Sequence, residues 1–127
     1  MRYLVTGCAG FIGSSLVDRL LQDGHNVVGI DNFSTGQAEF LKLANSSPNF
    51  TLLKMDLLEK DLIKPAFESI DAVFHLAANA DVRFGTEHPH KDLEQNAIAT
   101  FHVLEAMRAH QVKHIAFAST GSIYGEA

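Results

Sequence analysis

Three glycines at three-residue intervals follow the first apolar run of the chain, and they restrict its fold more than any other feature. The segment reads Thr6-Gly7-Cys8-Ala9-Gly10-Phe11-Ile12-Gly13, directly after Tyr3-Leu4-Val5. A helix-patterned stretch, residues 11–23, leads away from it. A helix N-terminus carries free N–H groups and a partial positive charge, and glycine lets an anion approach the backbone closely. The segment therefore predicts a phosphate-binding turn between a strand and a helix.

Apolar runs alternate with helical patterns along the rest of the chain. We predict strands at residues 2–6, 26–30, 50–54, 72–76 and 115–119. We predict helices at residues 11–23, 59–67 and 92–110, a short helix at 37–44, a loop at 31–36 and a turn at 45–49. This alternation is typical of one α/β domain spanning residues 1–127. Right-handed crossovers make it a Rossmann-type doubly wound parallel sheet, three-layer αβα, with strand order 3-2-1-4-5.

Apolar residues repeat at helical spacing in the helix predicted at 92–110. We assign its inner face to Leu93, Ala97, Phe101 and Leu104, with Ile98 and Met107 beside them. Since apolar residues extend beyond one face, we expect two copies to pair as a homodimer through this helix.

The composition excludes several classes of protein. Hydrophobic residues make up 46% and charged residues 20% of the chain, which is ordinary for a globular domain. The net charge of −5 with no basic stripe argues against nucleic acid or an anionic membrane as a partner. A lone cysteine, no signal-like start and no apolar run approaching about 20 residues predict a soluble cytoplasmic protein.

Acidic residues stand at the predicted ends of strands two and three. Asp31 lies 18 residues beyond Gly13, where a carboxylate can accept hydrogen bonds from both hydroxyls of an adenosine ribose. No arginine lies within several residues of Asp31, which favours NAD over NADP; a plain turn aspartate is the alternative. Asp56 is a candidate for the adenine amino group, with a solvated turn aspartate as its alternative.

Other reactive residue types have structural interpretations. His75 lies in an apolar strand, where a hydrogen-bonded core histidine is commoner than a catalyst. Cys8 fits a tight turn as a small residue, with a redox or nucleophilic role as the open alternative. His88 and His90 have no cysteine or acid at zinc spacing, so we expect no metal site.

Hydroxyl groups gather at the end of strand five, in Ser119, Thr120 and Ser122. They lie beside the expected nicotinamide position, where a hydroxyl could hold a substrate alcohol and relay its proton. A serine- and threonine-rich turn is the structural alternative.

Taken together, these segments resemble the extended short-chain dehydrogenase/reductase family, in its nucleotide-sugar epimerase/dehydratase branch. The matching segments are Thr6 to Gly13, Asp31-Asn32-Phe33-Ser34-Thr35-Gly36, Asp56-Leu57, His75-Leu76-Ala77-Ala78, Asn96, and Ser119-Thr120-Gly121-Ser122-Ile123-Tyr124-Gly125. They occur in the family's order and cover nearly the whole chain.

The resemblance implies a role for each of these positions. It places the cofactor NAD against Gly7, Gly10, Phe11, Ile12, Gly13, Asp31, Asn32, Ser34, Gly36, Asp56, Leu57, Leu76, Ala77 and Ala78, with Asn96 behind the site. It assigns Thr120 the catalytic role of bonding the hydroxyl that is oxidised. Enzymes of this family also use a Tyr-x-x-x-Lys pair, which residues 1–127 do not contain, since Tyr124 matches the end of the Ser/Thr motif. We therefore expect the chain to be the N-terminal part of a longer enzyme.

The residues after Thr120 bear on the reaction. Family dehydratases carry an acidic pair there, and decarboxylases keep a glutamate two positions on, whereas this chain has Gly121 and Ser122. The resemblance thus favours an NAD-dependent UDP-hexose 4-epimerase that acts through a 4-keto sugar. A dehydratase or decarboxylase, a non-catalytic NAD-sensing module and, more weakly, a methyltransferase stay open as alternatives.

Overall fold

Five parallel strands form one sheet in the computed structural model, which describes residues 1–125 apart from the side chain of Ser122. The strands are β1 (Arg2–Thr6), β2 (Asn26–Asp31), β3 (Phe50–Lys54), β4 (Ala72–His75) and β5 (Ile115–Phe117). Their order is β3-β2-β1-β4-β5, and every neighbouring pair is parallel. The predicted fold class and strand order are confirmed.

The strands are apolar on both faces because helices cover both sides of the sheet. Leu4 and Val5 are adjacent in β1 and point to opposite faces, yet neither side chain is exposed. Leu4 belongs to the core under the helices that follow β3 and β4, together with Phe67 and Val103. Val5 belongs to the second core, under the helix that follows β1, together with Val17. The domain thus has the predicted three layers.

The helices are more divided than the sequence pattern suggests. The α-helices are α1 (Phe11–Gln22), α2 (Lys60–Ile63), α3 (Val82–Glu87), α4 (Pro89–Asp92) and α5 (Ala99–Ala109), with a π-helical segment at Leu93–Ile98 between the last two. Short 3-10 helices lie at Ala38–Leu41, Ala44–Ser46, Lys64–Phe67 and Gly121–Tyr124. Within residues 1–125, no helix has the length and apolar character needed to cross a membrane.

Local chemistry explains where the helices differ from expectation. Proline lacks an N–H, and Pro65 lies where the segment predicted at 59–67 changes from α to 3-10 geometry. The helix α3 was not predicted, although Asp81 caps it by accepting hydrogen bonds from the N–H groups of Arg83 and Phe84. Pro89 starts the long helix three residues before the predicted position.

The face of the long helix that packs on the sheet is not the predicted one. Leu93, Ala97, Phe101 and Leu104 are exposed, and the buried residues are Ala99, Val103, Ala106 and Met107. This helix carries two apolar rows, and periodicity does not tell which of them faces the sheet. The row with two alanines lets the helix backbone approach the strands closely, so the bulkier row is left outside. The assignment of Met107 as buried is confirmed.

Two adjacent residues of α5 test this correction. Val103 is fully buried, whereas Leu104 is 46% exposed. We expect Val103→Ala to lower the free energy of unfolding by about 2 kcal/mol, because it leaves a cavity in the core. Leu104→Ala, the matched control, should change it by less than about 0.5 kcal/mol when unfolding is measured at a dilution where the chain is monomeric. Urea denaturation of both variants measures the difference. A larger loss of stability for Leu104→Ala would mean that Leu104 faces the sheet, as the sequence pattern predicted.

Candidate functional site

The turn after β1 is packed so tightly that side chains are excluded from it. Gly7 has a φ of +69°, and a Cβ there would lie 2.8 Å from the backbone nitrogen of Ala77. A Cβ on Gly13 would overlap the carbonyl oxygen of Gly7. Two of the three glycines are therefore required by contacts between backbones, which bring the start of α1 against the ends of β1 and β4.

The N-terminus of α1 is left open toward this turn. Gly10 occupies the N-cap and has no side chain that could bond the first N–H groups of the helix. The first turn also contains no acidic residue. An anion placed there would meet unpaired N–H groups and the positive end of the helix dipole. The turn thus has a geometry that phosphate binding would require, and the binding itself stays a prediction.

Asp31 lies beside the glycine turn, in a cleft at the carboxyl ends of the strands, and two backbone hydrogen bonds hold it there. Its Oδ2 accepts from the N–H of Ala9 at 2.8 Å, and its Oδ1 accepts from the N–H of Phe33 at 2.8 Å. A Cβ on Gly36 would lie 2.9 Å from Oδ1, so the loop after β2 also packs on the carboxylate. Each carboxylate oxygen keeps a further lone pair for a ligand hydroxyl.

Asn32 connects the loops that follow β2 and β3. Its side-chain nitrogen donates to Oδ2 of Asp56 at 3.2 Å, and its side-chain oxygen accepts from the N–H of Ser34 at 2.9 Å. Oδ1 of Asp56 accepts from the N–H of Leu58 at 2.9 Å. Asp56 therefore fixes the conformation of both loops, while the neighbouring Leu57 contacts the cleft.

The backbone that follows β4 adjoins the glycine turn on the side away from Asp31, since β1 lies between β2 and β4. The N–H groups of Leu76 and Ala77 both donate to the Thr6 hydroxyl, at 3.2 Å each. Thr6 also contacts the ring of His75, which is 1% exposed. Burial lowers the pKa of His75 to about 4. The interpretation of His75 as a hydrogen-bonded core histidine agrees with this environment.

These elements enclose a cleft of about 390 Å³ at the carboxyl ends of the strands. Thirteen of the fifteen predicted cofactor-binding residues line it: Gly7, Gly10, Phe11, Ile12, Gly13, Asp31, Asn32, Ser34, Gly36, Leu57, Leu76, Ala77 and Ala78. Asp31 is the only charged side chain among the lining residues. Negative charge on a ligand would therefore be met by backbone N–H groups rather than by a lysine or arginine.

Two predicted residues, Asp56 and Asn96, do not line the cleft. Asn96 lies behind it, where its Oδ1 accepts from the N–H of Asn79 at 2.7 Å. Its Nδ2 donates to the carbonyl of Asn79 at 3.3 Å. Asn96 thus anchors the loop after β4 to the long helix, which is a supporting position of the kind expected for it.

Sequence reasoning missed several other lining residues, namely Ile30, Thr35, Met55, Ala80, Gln95 and Ala118. Most are sequence neighbours of predicted residues and could have been found from that adjacency. Gln95 could not have been found in this way, because the π-helical geometry of Leu93–Ile98 determines which side of the helix Gln95 occupies.

The hydroxyl cluster lies past the end of β5. Ala118 lines the cleft, whereas Thr120 is exposed and is not among the lining residues. The side chain of Ser122 lies outside the described part of the chain. The catalytic assignment of Thr120 stays a prediction.

Cys8 is placed as a structural residue, and the described residues form no metal-binding cluster. Burial, with the nearby Asp31 charge, raises the pKa of the Cys8 thiol to about 12, and its side chain is fully buried. This agrees with a space-filling role and argues against a nucleophile. Among residues 1–125, no group of three or more His, Cys, Asp or Glu side chains is arranged to hold a metal ion.

Comparison with known proteins agrees with this geometry. The family model described as "NAD dependent epimerase/dehydratase family" matches residues 3–127. The chain is 45% identical to the UDP-glucose 4-epimerase of Mycolicibacterium smegmatis, over 98% of the chain and 41% of that protein. It is 34% identical to UDP-glucuronic acid decarboxylase 4 of Arabidopsis thaliana, over 99% of the chain and 27% of that protein.

The chain is also similar in structure to a solved epimerase. The chain superposes on the UDP-glucose 4-epimerase of Thermus thermophilus in complex with NAD, with a TM-score of 0.89 and 41% identity. The match covers 100% of the chain and 40% of that structure. The chain thus spans less than half the length of the proteins it matches.

The neutral state of buried His75 predicts a pH dependence of stability. Its pKa falls from an ordinary value near 6.5 to about 4, so below pH 6.5 the unfolded chain gains a proton that the folded chain does not. Because of this group alone, the free energy of unfolding should fall by about 3 kcal/mol as the pH is lowered from 7 to 4.

Urea denaturation at several pH values of the unmodified chain and of His75→Gln, which cannot titrate, isolates this contribution. His114→Gln, at an exposed histidine, is the control and should keep the full pH dependence. Equal pH dependence in all three proteins would contradict the assignment of a neutral buried histidine.

Proposed function

Because the chain belongs to the NAD-dependent epimerase/dehydratase family, we propose that it is the cofactor-binding part of a nucleotide-sugar 4-epimerase. The observation that carries the proposal is an uncapped helix N-terminus with the carboxylate of Asp31 beside it in one cleft. A dinucleotide has a pyrophosphate and a ribose diol, and these two groups are what such a helix N-terminus and such a carboxylate bind.

The residues present fit NAD. The pyrophosphate would lie at the turn from Gly7 to Gly13, against the open N-terminus of α1. The adenosine ribose would donate its hydroxyls to Asp31, and the adenine would lie near Leu57. Ala77 and Ala78, which are small, would let the nicotinamide end approach the backbone after β4. Asp31 would repel a 2′-phosphate, which favours NAD over NADP.

In the complete site, bound NAD would accept the hydride from C4 of the sugar and return it to the opposite face. On our assignment, Thr120 holds the hydroxyl that is oxidised at the end of β5. The general base would come from outside residues 1–127, because Tyr3 has Gly7 four residues on and Tyr124 matches the end of the Ser/Thr motif. The proposed substrate is a nucleotide sugar, with a UDP-hexose favoured by the similarity to UDP-glucose 4-epimerases.

Epimerisation is favoured over two related reactions by the residues after Thr120. Loss of water or of carbon dioxide from the sugar needs an acid or base beside the oxidised carbon. Gly121 and Ser122 stand where the family's dehydratases and decarboxylases carry acidic residues. The similarity to a plant decarboxylase keeps that reaction as the second candidate.

Further parts of the proposal concern assembly and location. The exposed row of Leu93, Ala97, Phe101 and Leu104 supports pairing of two copies through the long helix. A single buried thiol, Cys8, suits the reducing cytoplasm, where we place the protein.

Removing the Asp31 carboxylate should weaken NAD binding. We expect Asp31→Asn to lower NAD⁺ affinity about 10- to 100-fold, because hydrogen bonds to the charged group are lost. Asp23→Asn, at an exposed aspartate paired with Arg19, is the matched control and should leave affinity unchanged. Titration calorimetry with NAD⁺, NADP⁺ and S-adenosylmethionine measures these affinities. A preference for NADP⁺ in the unmodified chain would overturn the interpretation of Asp31.

Residues 1–127 alone should not convert a sugar nucleotide, since they contain no Tyr-x-x-x-Lys pair. The measurement is interconversion of UDP-glucose and UDP-galactose by the 127-residue chain, with the Thermus thermophilus enzyme as a positive control. Detectable turnover would show that the base lies within residues 1–127. In the natural protein containing this chain, carbon dioxide release from UDP-glucuronate would favour the decarboxylase instead.

A further inference from the structure

A continuous row of hydrogen bonds crosses the sheet behind the cleft. It begins at the N–H groups of Leu76 and Ala77, which donate to the Thr6 hydroxyl. The Thr6 oxygen lies 2.6 Å from Nδ1 of His75, and Nε2 of His75 lies 2.8 Å from the Thr100 hydroxyl. The row thus joins β1, β4 and α5.

The Thr100 end determines which ring nitrogen carries a proton. The Thr100 hydroxyl donates its only hydrogen to the carbonyl of Asn96, at 2.7 Å. Its oxygen can therefore only accept from the histidine ring. Nε2 of His75 must carry hydrogen.

The Thr6 end leads independently to the same tautomer. A hydroxyl oxygen has two lone pairs, and the N–H groups of Leu76 and Ala77 occupy both, although the Leu76 N–H is shared with the Thr6 carbonyl at 3.3 Å. The Thr6 hydroxyl then has only its hydrogen left to offer Nδ1 of His75. A proton on Nδ1 would place two donors face to face across 2.6 Å. One arrangement, the neutral Nε2–H tautomer, satisfies every group in the row.

The row matters to the cleft because its first members, Leu76 and Ala77, line the cleft. The backbone of Leu76 and Ala77 is a wall of the cleft, and it lies against Gly7 so closely that a Cβ on Gly7 would be 2.8 Å from the Ala77 nitrogen. The position of this backbone therefore determines the shape of the glycine turn as well. The ring of His75 is itself confined, since it stacks on Phe117 with 5.7 Å between ring centres.

We propose that His75, as the neutral Nε2–H tautomer, is a positioning residue for the cofactor. It orients the Thr6 hydroxyl so that both lone pairs hold the Leu76 and Ala77 backbone against the nicotinamide half of the cleft. Thr100 fixes the tautomer from the far side, although it does not line the cleft. The inference rests on the proposed NAD binding for its effect on affinity, but the tautomer itself does not depend on any ligand.

The tautomer is tested first, on ¹⁵N-labelled protein without ligand. Two-bond ¹⁵N–¹H correlation spectra distinguish protonated from unprotonated ring nitrogens. We expect His75 to show hydrogen on Nε2 and none on Nδ1 at pH 7. Hydrogen on Nδ1, alone or on both nitrogens, would overturn the proposal whether or not the protein binds NAD.

Substitutions at Thr100 then test transmission to the cleft. Thr100→Val keeps the shape but removes the acceptor of Nε2–H, so we expect NAD⁺ affinity to fall about 3- to 10-fold. Amide exchange at Leu76 and Ala77 should become faster. Thr100→Ser restores the hydroxyl and should return both measurements close to those of the unmodified protein. Thr6→Val removes the hydroxyl acceptor but leaves the Thr6 carbonyl, to which the Leu76 N–H also donates at 3.3 Å, so exchange should accelerate most at Ala77.

The control for these variants is Thr86→Val. Thr86 donates to the carbonyl of Val82 in the same way that Thr100 donates to that of Asn96, but it contacts no histidine. If Thr100→Val changes affinity and amide exchange no more than Thr86→Val does, the row does not position the cleft.

If the unmodified protein binds no NAD⁺, the proposed function fails, and the tautomer together with amide exchange still decides whether the row acts as described. Should Thr6→Val not fold, the Thr100 variants alone carry the test.

Discussion

The cleft depends on three stretches of backbone that meet without side chains between them. The turn after β1 touches the start of α1 at Gly13 and the backbone after β4 at Ala77, and a methyl group at Gly7 or Gly13 would separate them. This close approach places the open N-terminus of α1 beside the topological switch point of the sheet, between β1 and β4. The remaining parts of the cleft are arranged around that junction.

The cleft separates its polar groups by kind. Backbone N–H groups stand at the glycine turn, and the single charged lining residue, Asp31, is held beside the turn by backbone donors. An anion is attracted to the start of α1 and repelled from Asp31. On the proposed function, the backbone and one carboxylate would bind a dinucleotide in one orientation. The buried polar residues Thr6 and His75 support the backbone after β4 without entering the cleft.

The long helix shows where sequence patterns reach their limit. Its two apolar rows are equivalent in periodicity, yet Val103 packs in the core and Phe101 is 58% exposed. Contacts between residues distant in sequence determine which row is buried. His102 bonds the Leu57 carbonyl at 2.8 Å, and Thr100 bonds His75. These contacts set the rotation of the helix on the sheet. Hydrophobicity alone contains no information about them.

Much of the protein could be predicted from local sequence. The strands and the lining role of Gly7 and Asp31 follow from apolar runs and glycine spacing, which act over a few residues. The strand order follows from general rules of parallel sheets, which need no knowledge of side-chain partners. The tertiary structure decided what depends on residues far apart in the chain. It placed Asp56 and Asn96 behind the cleft as loop anchors, and it selected the tautomer of His75. The physical reason is that a hydrogen bond is specified by both partners, and here those partners lie from 17 to 69 residues apart.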